Sequence, residues 1–236
     1  MKMLAVPAVI LAALCITNVS AREAYFVGAD QTRPDLIPKA PAAPGTAESN
    51  AELAELHRIQ AARTPAQAAQ AMSDAKNETM FLYADVLGPR FAPATLPLTA
   101  ALADHVKNDH GANAGPAKQY FHRMRPYNLD TTLHAICGAK SSDDSYPSGH
   151  ATAGYMAGLV LIEMVPEQRD AILARADDYA RQRLVCGVHY RSDIEASKVL
   201  AYAAHALMDA NPAFKAERDA ATAELRQALG LPQLRP

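Results

Sequence analysis

Apolar side chains along this chain recur with the three-to-four-residue period of a helix, and strand-like alternation is nearly absent. Helical patterning begins after Asn50, which reads as an N-cap. A second helix opens at Thr64-Pro65, where a capping residue precedes a proline at the first helical position. Its pattern runs through Ala68, Ala71, Met72 and Ala75 toward Leu87 and stops at Gly88-Pro89. A third helix is expected over 96–107, ahead of a turn between Gly111 and Pro116. Stretches 150–164, 167–185, 193–208 and 212–229 also carry helical period and propensity. No repeat of fixed period is visible. The pattern predicts an all-α fold, a single compact helical domain over 50–236.

The amino terminus departs from this pattern. Lys2 precedes an apolar run over 3–16, and Val19 and Ala21 are the small residues expected before a signal-peptidase cut. The run is shorter than the ~18–20 residues that span a bilayer. Leu14 before Cys15 is not the small residue a lipoprotein signal needs. Residues 1–21 are therefore expected to be a cleaved signal peptide, leaving a periplasmic or secreted chain from Arg22 with no membrane attachment. Residues 22–49 carry Pro34, Pro38, Pro41, Pro44 and Gly45 with little apolar period, and predict an extended arm.

Half of the 236 residues are apolar and tryptophan is absent, which suits helices packed through small side chains. The net charge is −2 with acids and bases interspersed, so no footprint for nucleic acid or anionic membrane appears. The expected partner is a small molecule. Once Cys15 is removed, Cys137 and Cys186 form an even pair in an oxidising compartment. A disulfide between them is favoured over two buried thiols.

Three segments carry candidate chemistry. In the first, Lys118, Arg123 and Arg125 supply cations; such clusters are usually surface decoration, but phosphoryl transfer needs positive donors around its equatorial oxygens. In the second, Pro147-Ser148-Gly149-His150 precedes good helix formers. Ser148 would cap the helix, Gly149 would let its backbone approach a ligand, and the free N–H groups would form an anion site. His150 in the first turn suits proton transfer to a bound anion, although a capped helix with a solvated histidine explains the same residues. In the third, Arg183 is followed by His189 and, four residues on, Asp193, with Ser192 as the expected N-cap. A carboxylate there can fix one imidazole nitrogen and leave the other to attack. A locally satisfied histidine is the alternative. A metal centre lacks further ligands at suitable spacing, so no metal or other cofactor is expected.

Together the segments resemble the signature of the type-2 phosphatidic acid phosphatase superfamily: Lys-x6-Arg-Pro, Pro-Ser-Gly-His, then Ser-Arg-x5-His-x3-Asp. The matching residues are Lys118, Arg125 and Pro126, then 147–150, then Arg183, His189 and Asp193. The stretch 81–91 is also similar to the region upstream of this signature in the soluble class A non-specific acid phosphatases. The resemblance implies hydrolysis of phosphate monoesters without a metal, through a phosphohistidine at His189 oriented by Asp193. It implies that His150 protonates the leaving group. It also implies that Lys118, Arg125, Arg183, Ser148 and Gly149 bind phosphate. Gln182 stands where the superfamily has serine, which bears on rate or substrate preference. Arg123, His122, His134 and Arg191 match no fixed position and are expected to be rim or structural residues. His57, His105, His110 and His205 are expected to be structural or solvated. Tyr120 and Tyr127 either line the pocket or, more in keeping with their type, pack into the core.

Rival readings differ in what they require. A membrane lipid phosphatase needs several apolar spans, whereas the most apolar motif-bearing stretch, 151–165, is broken by Glu163. A vanadate-dependent haloperoxidase shares the oxyanion site but is typically much longer. A non-catalytic periplasmic phosphate-binding protein would show α/β lobes. A homo-oligomer paired through a hydrophobic helical face is compatible with the resemblance.

Overall fold

The computed structural model describes residues 22–139 and 143–234. The expected signal peptide lies outside them. The helices are α1 (Ala29–Thr32), α2 (Ala47–Ala62), α3 (Pro65–Asp74), α4 (Ala84–Leu87), α5 (Pro97–Phe121), α6 (Pro126–Leu129), α7 (Gly149–Met164), α8 (Arg169–Val185), α9 (Arg191–Met208) and α10 (Pro212–Leu229). The described residues contain no strand, in keeping with the all-α expectation. No helix among them is long and apolar enough to cross a membrane.

Helix α7 is the axis of the bundle. It is apolar around most of its circumference, so it buries itself among α5, α8, α9 and α10 rather than presenting one stripe. Met156, Val160, Leu161 and Met164 are fully buried, each worth roughly 1.5–3 kcal/mol of transfer free energy. Small residues bring the neighbours close: a Cβ on Gly154 would stand 2.6 Å from the Tyr179 ring of α8. The Gly154 carbonyl also accepts a hydrogen bond from the buried Tyr83 hydroxyl, at 2.7 Å. Cys137 and Cys186 form a disulfide that ties the loop before α7 to the end of α8.

Several boundaries differ from expectation, each for a local or tertiary reason. Helix α2 begins at Ala47 because Thr46, not Asn50, is its cap, with its hydroxyl accepting from the Ser49 N–H. Helix α3 ends at Asp74 instead of continuing toward Leu87. Beyond it, the Asn77 side chain accepts from both the N–H and the hydroxyl of Thr79 at 3.1 and 2.9 Å, a turn that competes with the helix. Helix α9 starts at Arg191, capped at Tyr190, so Asp193 is its third residue.

The largest correction concerns α5, which runs straight through Gly111 and Pro116 to Phe121 where a turn was expected. Pro116 removes one ladder hydrogen bond, but the helix is held from outside by the amino-terminal arm. Buried Asp109 accepts the backbone N–H groups of Tyr25, Phe26 and Val27 at 2.5, 2.8 and 2.9 Å, and Asn113 donates to the Val27 carbonyl at 2.8 Å. The arm is thus docked rather than merely extended, with Phe26 and Val27 in the core. Continuing α5 delivers Lys118 to the site.

Candidate active site

The site is built where α8 ends and α9 begins. Gly187, at φ +71°, makes the left-handed turn that an L side chain would resist, and the chain then places His189 just before α9. His189 is buried, with Nδ1 3.0 Å from Asp193 Oδ2 and Nε2 3.2 Å from Arg125 Nη1. A guanidinium can only donate, so Nε2 carries the lone pair and Nδ1 carries the proton. Burial lowers the His189 pKa well below the ordinary value, and the charges of Arg125, Lys118 and Arg183 push the same way. The ring is a neutral base with a fixed tautomer.

Asp193 is fully buried. Burial pushes its carboxyl up, opposed by donors on both oxygens. Arg123 donates to Oδ1 at 2.6 Å, and the Ser145 hydroxyl and Tyr190 N–H donate to Oδ2 at 2.6 and 2.9 Å. All of these partners are donors, which is the environment of a carboxylate. Arg123 is itself buried, pairs with Glu52 at 2.6 Å and stacks on the Tyr190 ring at 3.9 Å. It stands behind the histidine–carboxylate pair as a structural cation.

Three further cations converge in front of His189. Lys118, in the last turn of α5, donates Nζ to the Asp144 carbonyl. Arg125 donates Nε to the Asp144 carboxylate at 2.7 Å and Nη1 to the Val188 carbonyl at 2.9 Å. Arg183, in the last turn of α8, is 4% exposed. No carboxylate among the described residues pairs with it, its Nε has no hydrogen-bond partner, and Nη1 reaches only the Cys186 sulfur at 3.5 Å. Burial lowers its pKa. A buried guanidinium left this bare is costly unless an anion joins it.

At the start of α7, Ser148 caps the helix by accepting from the Ala151 N–H at 3.4 Å. His150 sits in the first turn. Its Nδ1 lies 2.8 Å from Glu78 Oε1 and its Nε2 lies 3.1 Å from the Ala75 carbonyl.

Lys118, Arg125, Gly149, His150, Arg183 and His189 line one cavity of about 340 Å³, with Ala75, Glu78 and Asp144 among its other walls. Asp193 stands behind His189 and the buried Ser148 is occupied as a cap; neither lines the cavity. Tyr120 is 62% exposed and neither lines the cavity nor packs into the core as expected, whereas Tyr127 does pack on the core. Gln182 donates to Asp178 at 3.0 Å and also lies off the cavity. A larger cavity, about 610 Å³, lies between residues 37–40, α2 and α9, and neither His150 nor His189 lines it. Among the described residues no group of three or more His, Cys, Asp or Glu could hold a metal ion. Glu78 and Asp144 were not found from the sequence. Glu78 lies far from the three motif segments, and no local pattern marks it.

Known proteins match this chain. A non-specific acid phosphatase of Providencia stuartii is 38% identical over 104 residues, 42% of this chain and 41% of that protein. An acid phosphatase of Zymomonas mobilis is 32% identical over 151 residues, 62% of this chain and 56% of its own length. A non-specific acid phosphatase of Salmonella typhimurium is 29% identical over 140 residues, 57% and 55% of the two chains. The chain thus spans about half the length of the curated relatives it matches. The family profile of the PAP2 superfamily matches residues 94–212, half of the chain and every motif residue that surrounds the cavity, and the chain belongs to that superfamily.

Proposed function

We propose that this chain is an exported acid phosphatase that hydrolyses phosphate monoesters through a phosphohistidine on His189. The observation that carries the reading is the pairing of a bare, buried Arg183 guanidinium with a neutral His189 in one small cavity. The relatives named as acid phosphatases support it. A pure phosphate binder has no use for a buried imidazole held in one tautomer beside the cations.

The chemistry follows from the partners. Phosphate seats against Arg183, Arg125, Lys118 and the Gly149 end of α7, displacing the Asp144 contacts. Arg125 Nη1 turns from His189 Nε2 to a phosphate oxygen, and the freed Nε2 lone pair forms the N–P bond as the P–O bond to the leaving group breaks. Nδ1–H stays on Asp193, which offsets the positive charge developing on the ring. His150 gives its Nε2 proton to the leaving oxygen. Water then attacks phosphorus, His150 recovers a proton from it, and the N–P bond breaks to free phosphate. Three cations and a helix terminus supply the electrostatic stabilisation a metal would otherwise give.

The pH dependence has two limbs of opposite sign. His189 must be unprotonated, and its lowered pKa keeps it so into the acid range; activity falls only as pH drops through that value. The leaving group needs a proton from His150, so activity also falls toward alkaline pH, where that donation fails. A bell with a mildly acidic optimum is expected. Steady p-nitrophenyl phosphate turnover across pH, with and without EDTA, tests the reading. Turnover that survives chelation on an acidic bell supports it; absence of turnover, or loss restored only by added metal, overturns it.

A further inference from the structure

We propose that Glu78 is a positioning residue for His150, holding Nδ1 of the ring so that Nε2 delivers and recovers the proton. The inference rests on the phosphatase reading above, and concerns a residue outside the three signature segments.

The segment that carries Glu78 is fixed. Asn77 caps the turn at Thr79, and the Tyr179 hydroxyl donates to the Asn77 carbonyl at 2.5 Å. Glu78 and His150 both line the cavity, and their side chains are about equally shielded, at 32% and 23% exposed. The His150 ring also stacks near Tyr179, with centroids 6.3 Å apart and planes at 29°. Carboxylate and carbonyl can both only accept. The ring therefore satisfies Glu78 and Ala75 together when both nitrogens are protonated, the form a proton donor needs.

The proton count then closes. The Nε2 proton leaves the Ala75 carbonyl for the departing alkoxide while Nδ1–H remains on Glu78. The product is a neutral imidazole of one tautomer, with its Nε2 lone pair ready to take a proton from the incoming water. Without Glu78 the ring is free to flip or to lose the other proton.

Charge points the same way. Glu78 is the one carboxylate among the described residues within ion-pair distance of this ring. Arg183 from α8 and Lys107 from α5 face the same carboxylate, His189 lies across the cavity, and Tyr179 stays neutral because burial raises its pKa. His110 of α5 is also near, but burial lowers it to about 4, leaving it neutral at mildly acidic pH. Glu78 itself is lowered to about 2, first by its hydrogen bond with His150. It is a carboxylate throughout the working range and supplies the counter-charge among cations.

The test is Glu78→Gln, which keeps the shape and removes the charge, beside Glu78→Ala. Each is assayed across pH on p-nitrophenyl phosphate and on an alkyl phosphate such as glycerol phosphate. For the alkyl substrate kcat/KM, which reports transfer to His189, should fall about 10–100-fold, less than the ~10²–10⁴ of a general acid itself, and for p-nitrophenyl phosphate by under about threefold. The alkaline limb should move to lower pH in Glu78→Gln. Inorganic phosphate should still bind, because the cations are untouched. Equal losses on both substrates, an unmoved alkaline limb, or lost phosphate binding in Glu78→Gln would each overturn the role, the last by making Glu78 a support of the pocket. If the wild-type chain turns over neither substrate, the phosphatase reading fails and this inference with it. Wild-type turnover with an indifferent Glu78→Gln removes only the role of Glu78.

Discussion

His189 and His150 each meet a carboxylate through Nδ1, at 3.0 and 2.8 Å, yet their surroundings are unlike. The His189 side chain is 3% exposed and its carboxylate 0%, with Arg123, Ser145 and Tyr190 holding the latter from behind. The His150 side chain is 23% exposed, and Glu78, at 32%, is backed by no cation within ion-pair distance among the described residues. The difference matches what each ring is asked to do. A nucleophile must stay neutral in one tautomer, which dehydration and neighbouring cations enforce. A proton donor must exchange with leaving groups and water, so it needs an opening and a counter-charge. On the roles proposed for them, burial separates two chemically identical side chains into base and acid.

The comparison breaks most sharply at the nucleophile. His189→Ala should abolish turnover, by on the order of 10⁴–10⁶-fold, the scale for losing an attacking group. Rapid quenching of the wild type should trap acid-labile, alkali-stable phosphate on His189, and the variant should trap none. Phosphate recovered on His150 instead would invert the two roles.

The two halves were also unequally legible. Every partner of His189 falls in the motif-bearing segments or beside them, and the caps and periodicity of α7 to α10 placed those segments at helix ends. The acid half depends on Glu78, whose position follows from where α3 stops, and that stop was misread. What ends α3 is an Asn77 turn and an ion pair drawing Asp74 to Arg175 at 2.7 Å, the second visible only in three dimensions. The continuation of α5 past Pro116 was hidden for the same reason. Its Asp109 and Asn113 look like ordinary helix-surface residues until the arm arrives to use them. Arg123 reads as either a rim or a structural cation beside Arg125 until it is found under Asp193.

A smaller effect is expected at the acid. His150→Ala should cost ~10²–10⁴-fold on alkyl phosphates. In kcat/KM for p-nitrophenyl phosphate the loss should shrink, because that leaving group departs without a proton. The phosphoenzyme should still form with the activated substrate and decay slowly, since water would lack its base. A uniform loss across leaving groups would sharpen the comparison differently, by showing that His150 binds phosphate rather than transferring protons.

The smallest kinetic effect should come from the frame that carries the nucleophile half. Cys186 lies between Arg183 and His189, and its bridge to Cys137 pins the cavity wall at Gly138 against the end of α8. The Ile136 N–H adds a hydrogen bond to the Cys186 carbonyl at 3.0 Å. Replacing both cysteines by alanine leaves neither partner of the bridge as a lone thiol, and its cost falls first on the unfolded state. For a sequence separation of 49 residues, loop-closure entropy alone gives about 4 kcal/mol. That should appear as a lower denaturation midpoint. Chemistry should suffer less, because α8 still carries Arg183 and Asp193 still orients His189. The expectation is a raised KM with kcat reduced by less than the ~10²-fold floor for losing the acid. Should the double variant keep its denaturation midpoint but lose kcat as heavily as His150→Ala, the bridge would belong to the chemistry of the site. The sealed half would then be less rigid by itself than its buried hydrogen bonds suggest.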